Sequence, residues 1–493
     1  MVGTSRNKIA VIAALSAFVP TSALPQQVGG VAVPGAAGPV VTPQASGGTI
    51  PKAGTALRNT GGLQFDFGVS SNLGFDDNFA LSNTSAGTST IWDSTLTFGL
   101  SNITPTQSLT LDASTILRFA NIPGRTVSGV EDPTVRLRYV LTGLNSTLSV
   151  DGRYRTADRE FLNPFQIEQE EQALGQLIGG GGVVTWQTLG ATFVTGINDP
   201  LGFQISARHD ERYYDATAEA LSPTLFDQVT DSATATVTAK VSPLVQLRGS
   251  VGLTEYSAED SVSTDRETID YAIGAVMDIN PVLTLDAQVG YTEVTTDTTG
   301  GRTVRSGTTS NVQLTQTLTN GSVFGGFTST VNQNGTRNVV TVGRDFQLAS
   351  GTLSATVGMT RTPAGNTRSS GSLAYTRTMR SSDISVTAGR SVTTNGLNQD
   401  VFNTRVGVNY SYAINNVSQL NLGLNWGRSE SADSIPGFNE TTRTDLLASY
   451  SHALTQDWGL TGGLKLRHRS DNTGDAQSNA IFLTLDRTFS YRP

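Results

Sequence analysis

Basic side chains recur at alternate positions in several short segments: Arg118; Arg136 and Arg138; Arg153 and Arg155; Lys465, Arg467 and Arg469. The residues between them are apolar, as in Val135, Leu137, Tyr139 and Leu141, or Leu148, Val150 and Tyr154. Such alternation puts the two sets on opposite faces of a β-strand. A row of guanidinium and ammonium groups on one face attracts anions, and rings of Arg and Lys select anionic solutes in pores. Carboxylates share the same parity: Asp112, Asp151, Asp445 (beside Arg443) and Asp486. The same residues therefore also fit a ladder of cross-strand ion pairs that stiffens a wall, with Asp112 and Asp151 as partners. Both readings stay open from the sequence alone.

Other chemistry finds little footing. His209, His452 and His468 are isolated, and Ser is too abundant for any Ser-His pairing to be informative. Parity puts His452 and His468 on the apolar face near strand ends. Gly179 to Gly182 lacks the Lys-Ser or Lys-Thr that would complete a phosphate loop. With no Cys there is no disulfide and no thiolate metal site. The acids Asp76, Asp77, Glu168, Glu170, Glu171, Glu255, Glu259, Asp260 and Asp265 lack EF-hand spacing and read as solvated loops. The expectation is no enzyme, no cofactor and no resident metal. A net charge of −8 argues against a nucleic-acid partner.

The elements that position these residues are long amphipathic strands. Roughly ten short turns recur at intervals of about 30–55 residues, each between two alternating segments. The clearest are Val241-Ser242-Pro243-Leu244, Ile279-Asn280-Pro281-Val282, Leu318-Thr319-Asn320-Gly321, Ile414-Asn415-Asn416-Val417 and Leu454-Thr455-Gln456-Asp457. No helices lie between the strands to cover their apolar faces. A barrel closed in lipid resolves that, with the apolar face on acyl chains and the polar face lining a wet interior. Charged residues are only 15% of the 493, against about 25% in soluble proteins. Long polar connections are expected at Asp76 to Ser89, Asn121 to Pro133, Ala157 to Gly182, Asp210 to Thr230, Tyr256 to Glu267 and Ser429 to Thr441. Short periplasmic turns alternating with long outer loops predict an all-β fold: one large antiparallel transmembrane β-barrel of about 22 strands, within a range of about 18–24. The last strand then pairs with the first, which gathers the arginines on one side of the wall. A soluble β-solenoid is the rival fold, and its coils would repeat at a tighter period.

Residues 1–23 read as a signal peptide, with Arg6 and Lys8 before the apolar run Ile9 to Val19 and Thr21-Ser22-Ala23 at the cleavage point. Residues 24–61 read as a Gly/Pro/Ala-rich periplasmic lead, with a small plug as the alternative, and residues 62–493 as the barrel. Trp92, Phe119, Tyr291, Tyr410, Tyr412, Trp426 and Trp458 fit interfacial girdles. A helix is expected from Asn163-Pro164 to Ile178, folded inward or standing outside.

Phe67-Gly68-Val69 leading to Gly74-Phe75-Asp76-Asp77-Asn78, and the turn-strand unit Asn280-Pro281-Val282-Leu283-Thr284-Leu285 with Gly290-Tyr291, resemble the beta-barrel porin 2 type of outer-membrane protein. That resemblance implies a large barrel with an export or uptake role, often beside exopolysaccharide systems. It supplies no catalytic residues. The expectation is a porin-like channel in the outer membrane of a Gram-negative bacterium, passing a hydrophilic solute or polysaccharide. The alternative is a plugged barrel acting as adhesin, receptor or anchor. The implied partners are membrane lipid and lipopolysaccharide, the barrel assembly machinery and the solute.

Overall fold

The computed structural model describes residues 61–165, 182–215, 225–394, 399–431, 438 and 440–493. The expected signal segment, all of the expected lead but Gly61, and the expected helix beyond Phe165 lie outside the described residues. The strands are β1 (Gly62–Asp76), β2 (Ser89–Ile103), β3 (Gln107–Ile122), β4 (Arg125–Thr142), β5 (Ser146–Asp158), β6 (Val183–Thr195), β7 (Leu201–Asp215), β8 (Gln228–Ser242), β9 (Val245–Ala258), β10 (Thr264–Asn280), β11 (Leu283–Thr298), β12 (Gly301–Leu318), β13 (Gly321–Asn332), β14 (Gly335–Leu348), β15 (Gly351–Arg361), β16 (Thr367–Thr378), β17 (Ser382–Thr394), β18 (Asp400–Asn415), β19 (Ser418–Ser431), β20 (Thr441–Ala453), β21 (Trp458–Asp471) and β22 (Gly474–Tyr491). They form one 22-stranded antiparallel sheet that closes where β1 pairs with β22, Phe67 opposite Phe489. An even count leaves both termini of the barrel on the side of the short turns, the side that outer-membrane barrels in general turn to the periplasm.

Side-chain caps fix the inner turns. Asn280 Oδ1 accepts from the Val282 N–H (3.0 Å), and Asn415 Oδ1 from the Val417 N–H (2.9 Å). Such Asx contacts stand in for backbone hydrogen bonds and set the reversal. At the outer end the expected contrast in length holds only in part. Two-residue links at 299–300, 333–334 and 472–473 are as tight as the inner turns. Each is followed by a glycine at positive φ, Gly301 (127°), Gly335 (126°) and Gly474 (131°), a conformation that L side chains rarely adopt.

The expected loop Asn121 to Pro133 is a correction. β3 and β4 run on to a turn at Pro123 and Gly124, with Asn121 opposite Thr126. Pro133 marks a bulge within β4. Ser114 faces Thr134 and Ile116 faces Glu131, so Thr115 meets two residues. A bulge tolerates proline because one residue there gives no ladder hydrogen bond.

Register sorts the side chains. On β10 the outward positions Tyr271, Ile273, Met277 and Ile279 are exposed, as are Leu247, Val251 and Leu253 on β9 and Val289 and Tyr291 on β11. Tyr271 faces Tyr291 across β10 and β11, and Trp92 stacks on Phe119 with centroids 5.6 Å apart. Among the described residues the one hydrophobic cluster is small: Ala157, Val184 and Trp186 beside Leu162 and Tyr214. Apolar surface is thus turned to lipid rather than to an interior core, and the closed barrel leaves no edge.

Candidate functional site: the lumen and its outer mouth

Cross-strand pairing carries the parity of one strand into the next. Asp112 lies opposite Arg136, Arg136 opposite Arg153, Arg138 opposite Asp151, Thr134 opposite Arg155, and Asp445 opposite Arg467. These positions alternate with the exposed outward residues Val135, Leu137, Leu464 and Leu466. The structure therefore turns Arg118, Arg136, Arg138, Arg153, Arg155, Lys465, Arg467 and Arg469 into the lumen, together with Arg208, Arg212, Arg248 and Arg266 on β7, β9 and β10.

Their partners divide them. Arg118 grips Asp93 through Nε (2.8 Å) and Nη2 (2.7 Å). Arg155 grips Asp132 in the same bidentate manner (2.7 and 2.8 Å). Arg467 Nη2 donates to Asp76 Oδ2 (2.6 Å), to Ser478 Oγ (2.8 Å) and to the Phe79 carbonyl (3.0 Å). Arg469 pairs with Asp471 (3.2 Å), and Arg153 is engaged as well. Arg443 and Asp445 form a buried pair at 3.0 Å. Bidentate charged bonds of this kind fix geometry as well as charge. Arg136, Arg138 and Lys465 are different: among the described residues they make no hydrogen bond or ion pair, and both arginines are exposed. Asp112 and Asp151 do not neutralise this ladder; Asp151 pairs with Arg208 instead (3.6 Å).

At the outer mouth the β5–β6 connection turns inward. It begins with a single 3-10 turn, Arg159–Phe161, capped by the Asp158 side chain, which accepts from the Glu160 N–H. The Phe161 ring packs against Phe79 of the β1–β2 connection (5.0 Å) and under the Arg118 guanidinium (3.8 Å). Arg159 and Phe165 are buried. The Phe165 carbonyl accepts from Arg405 Nη1 at 3.5 Å. Arg405 lies on the lumen face of β18, between Gly389 and Gly427 of the flanking strands. The described start of this connection thus reaches from β5 to a wall nine strands away, counting through the β1–β22 seam.

Below, a recess of about 570 Å³ opens in the wall of β22 and β1 to β5, lined by Asp66, Asp112, Arg136 and the Asp132–Arg155 pair among hydroxyl groups. The facing strands β12 to β19 carry mostly neutral groups into the lumen, such as Asn311, Thr341, Ser370 and Asn425.

The barrel shares its fold with outer-membrane receptor barrels. The ferric-catecholate import receptor Fiu of E. coli K12, in its open form, aligns over 88% of this chain and 82% of its own at 12% identity, with a TM-score of 0.55. The FrpB iron transporter from Neisseria meningitidis aligns over 86% and 82% at 9% identity, also with 0.55. The ferric enterobactin receptor PfeA from Pseudomonas aeruginosa aligns over 87% and 80% at 9% identity, with 0.50. No family model matches the chain, and no curated protein does.

Several functional positions escape sequence reading. Asp132 falls within an expected loop, yet the Asp-Pro bulge aims it at Arg155. Asp76 reads as a solvated loop acid, yet it ends β1, is buried and holds Arg467. Arg405 has no basic neighbour at alternate spacing and so joins no ladder. Among the histidines, His452 accepts or donates to Ser418 Oγ (2.9 Å) and stacks on Tyr450, while His209 pairs with Asp231 (2.7 Å).

Proposed function

We propose that the protein is a receptor-type conduit of the outer membrane, which binds a hydrophilic solute at a narrowed mouth and admits it to the polar lumen. The observation that carries this is the inward β5–β6 segment, stacked under Arg118 through Phe161 and tied to β18 through Phe165 and Arg405. A wide barrel with its mouth so occupied selects before it passes. The fold shared with import receptors supports the same reading. Ferric catecholates, the cargo in the name of one of them, are anionic, and free guanidinium groups in a lumen suit that class. In this reading residues 1–23 are removed on export, residues 24–61 lie in the periplasm, and insertion runs through the barrel assembly machinery. A porin-like conduit for polysaccharide is the second reading, favoured by the hydroxyl and amide groups of β12 to β19.

Planar-bilayer recording separates the two. Wild-type protein is expected to conduct weakly, and a Phe161→Ala, Arg405→Ala double variant to conduct several-fold more. Large wild-type conductance unchanged by the variant would favour the open channel.

A further inference from the structure

Arg136 and Arg138 each have a carboxylate directly across the sheet, Asp112 on β3 and Asp151 on β5. Opposite charges in that position ordinarily attract and pair. Here neither pair forms, although Arg118 and Arg155 on the adjoining strands are paired. For Asp151 the cause lies one strand further on. Asp112 has Gly99 on its other side, and Asp151 has Gly190. A glycine leaves a gap in the row of side chains; the Asp151 carboxylate fills the one at Gly190, while Asp112 lies at ordinary contact distance from the Gly99 position. A Cβ on Gly190 would stand 2.7 Å from Asp151 Oδ1 and 3.1 Å from its Cγ. A Cβ on Gly99 would stand 3.5 Å from Asp112 Oδ1. From its gap Asp151 reaches Arg208 on β7 at 3.6 Å.

We infer that Arg136 and Arg138 are the selectivity-determining cations of the lumen, a docking pair for carboxylate, phosphate or sulfonate groups, with Asp151 held off Arg138 by the gap at Gly190. Arg136 lines the recess beside Ser114, Thr134 and Ser490, which offer hydroxyl partners to the rest of the solute. Of the remaining ladder arginines, Arg118, Arg155, Arg467 and Arg469 are held by carboxylates and serve the wall. The inference rests on the conduit reading for its biological use, but the docking step needs no conduction.

The test is equilibrium binding of pyrenetrisulfonate to the full-length barrel in detergent, followed by anisotropy, with heat-modifiable gel migration as the check on folding. Arg136→Gln with Arg138→Gln is expected to weaken binding about tenfold or more, the loss of one to two charged hydrogen bonds. Gly190→Ala changes no charge. It is expected to weaken binding by pressing Asp151 back onto Arg138, and adding Asp151→Asn is expected to restore it. That rescue keeps the inference testable if the double arginine variant fails to fold. Binding within about twofold of wild type in the double variant, against the loss expected of charged hydrogen bonds, overturns the docking pair, as does Gly190→Ala without effect. Tight binding by a barrel that bilayers show to be sealed supports the pair and overturns the conduit reading alone.

Discussion

Arg155 and Arg136 sit on neighbouring strands, yet one is buried and gripped while the other is free. The difference is Asp132, held at φ 48° by the bulge before Pro133. A non-glycine residue rarely takes that conformation, and the bidentate bond to Arg155 offsets its cost. Asp132→Ala should remove the bidentate carboxylate from a guanidinium that is 5% exposed. The expected loss is about 2–3 kcal/mol, the cost of removing one member of a buried, charge-assisted pair. Denaturant titration of vesicle-inserted barrel reads it, because Trp186 lies 5.3 Å from the Arg155 guanidinium and reports on it. Arg136→Gln should change stability by less than about 0.5 kcal/mol, as at an exposed surface position. Equal losses in the two variants would mean that both arginines serve the wall alike.

At the scale of elements, the β1–β2 connection is latched to the last strand. Asp77 accepts from the backbone N–H (2.7 Å) and the side-chain Nδ2 (2.8 Å) of Asn479. The backbone and side-chain bonds from Asn479, with Arg467 nearby, hold the Asp77 carboxyl below its ordinary range. A carboxyl lowered in the folded state stabilises above its unfolded pKa and loses that contribution as pH falls through the folded value. The latch should therefore hold at neutral pH and loosen below about pH 4. Limited proteolysis of the 77–88 connection should accelerate there in wild type, and Asp77→Asn should remove the acid dependence. Acceleration persisting in Asp77→Asn would assign it to another group. Such a latch joins residues 402 positions apart, so no local pattern announces it. The strands were legible because period two is local: alternation from Leu109 to Leu117, or from Leu283 to Tyr291, needs no knowledge of neighbours. Turns were legible where Asn-Pro or Ser-Pro caps them. The Pro133 bulge was not, because proline and aspartate also mark loops. The lumen arginines follow from parity, whereas their partners depend on register and on glycine gaps two strands away.

For the whole molecule, strand length exceeds what a bilayer requires. Strands run from 11 to 18 residues, against about 9–11 for a tilted crossing. The excess has a direction. On β10 the outward run from Ile269 to Ile279, at about 3.3 Å per residue and a tilt of about 40°, covers about 25 Å, the height of an apolar band. It ends at the inner turn, and above it stand Glu267 and Asp265. The first outward charge on β9 is Glu255, on β8 Asp231 and on β11 Glu293, all beyond the Tyr271–Tyr291 pair. Glu255 lies directly across from both Asp231 and Glu267. Carboxylates set side by side repel, a cost that water and counter-ions relieve and acyl chains do not. In this sector the membrane therefore reaches the inner turns, and the outer ends of the strands rise into the headgroup layer and beyond. Ile273→Arg, at 68% exposure near the middle of the band, should cost about 2–4 kcal/mol in a reversible refolding titration into lipid vesicles. Glu267→Arg should cost less than about 1 kcal/mol, because that position lies at the interface. If the two cost the same, the band does not lie where the tyrosines place it. The ordering expected here follows from the depth of each side chain, since both variants introduce the same group on the same strand.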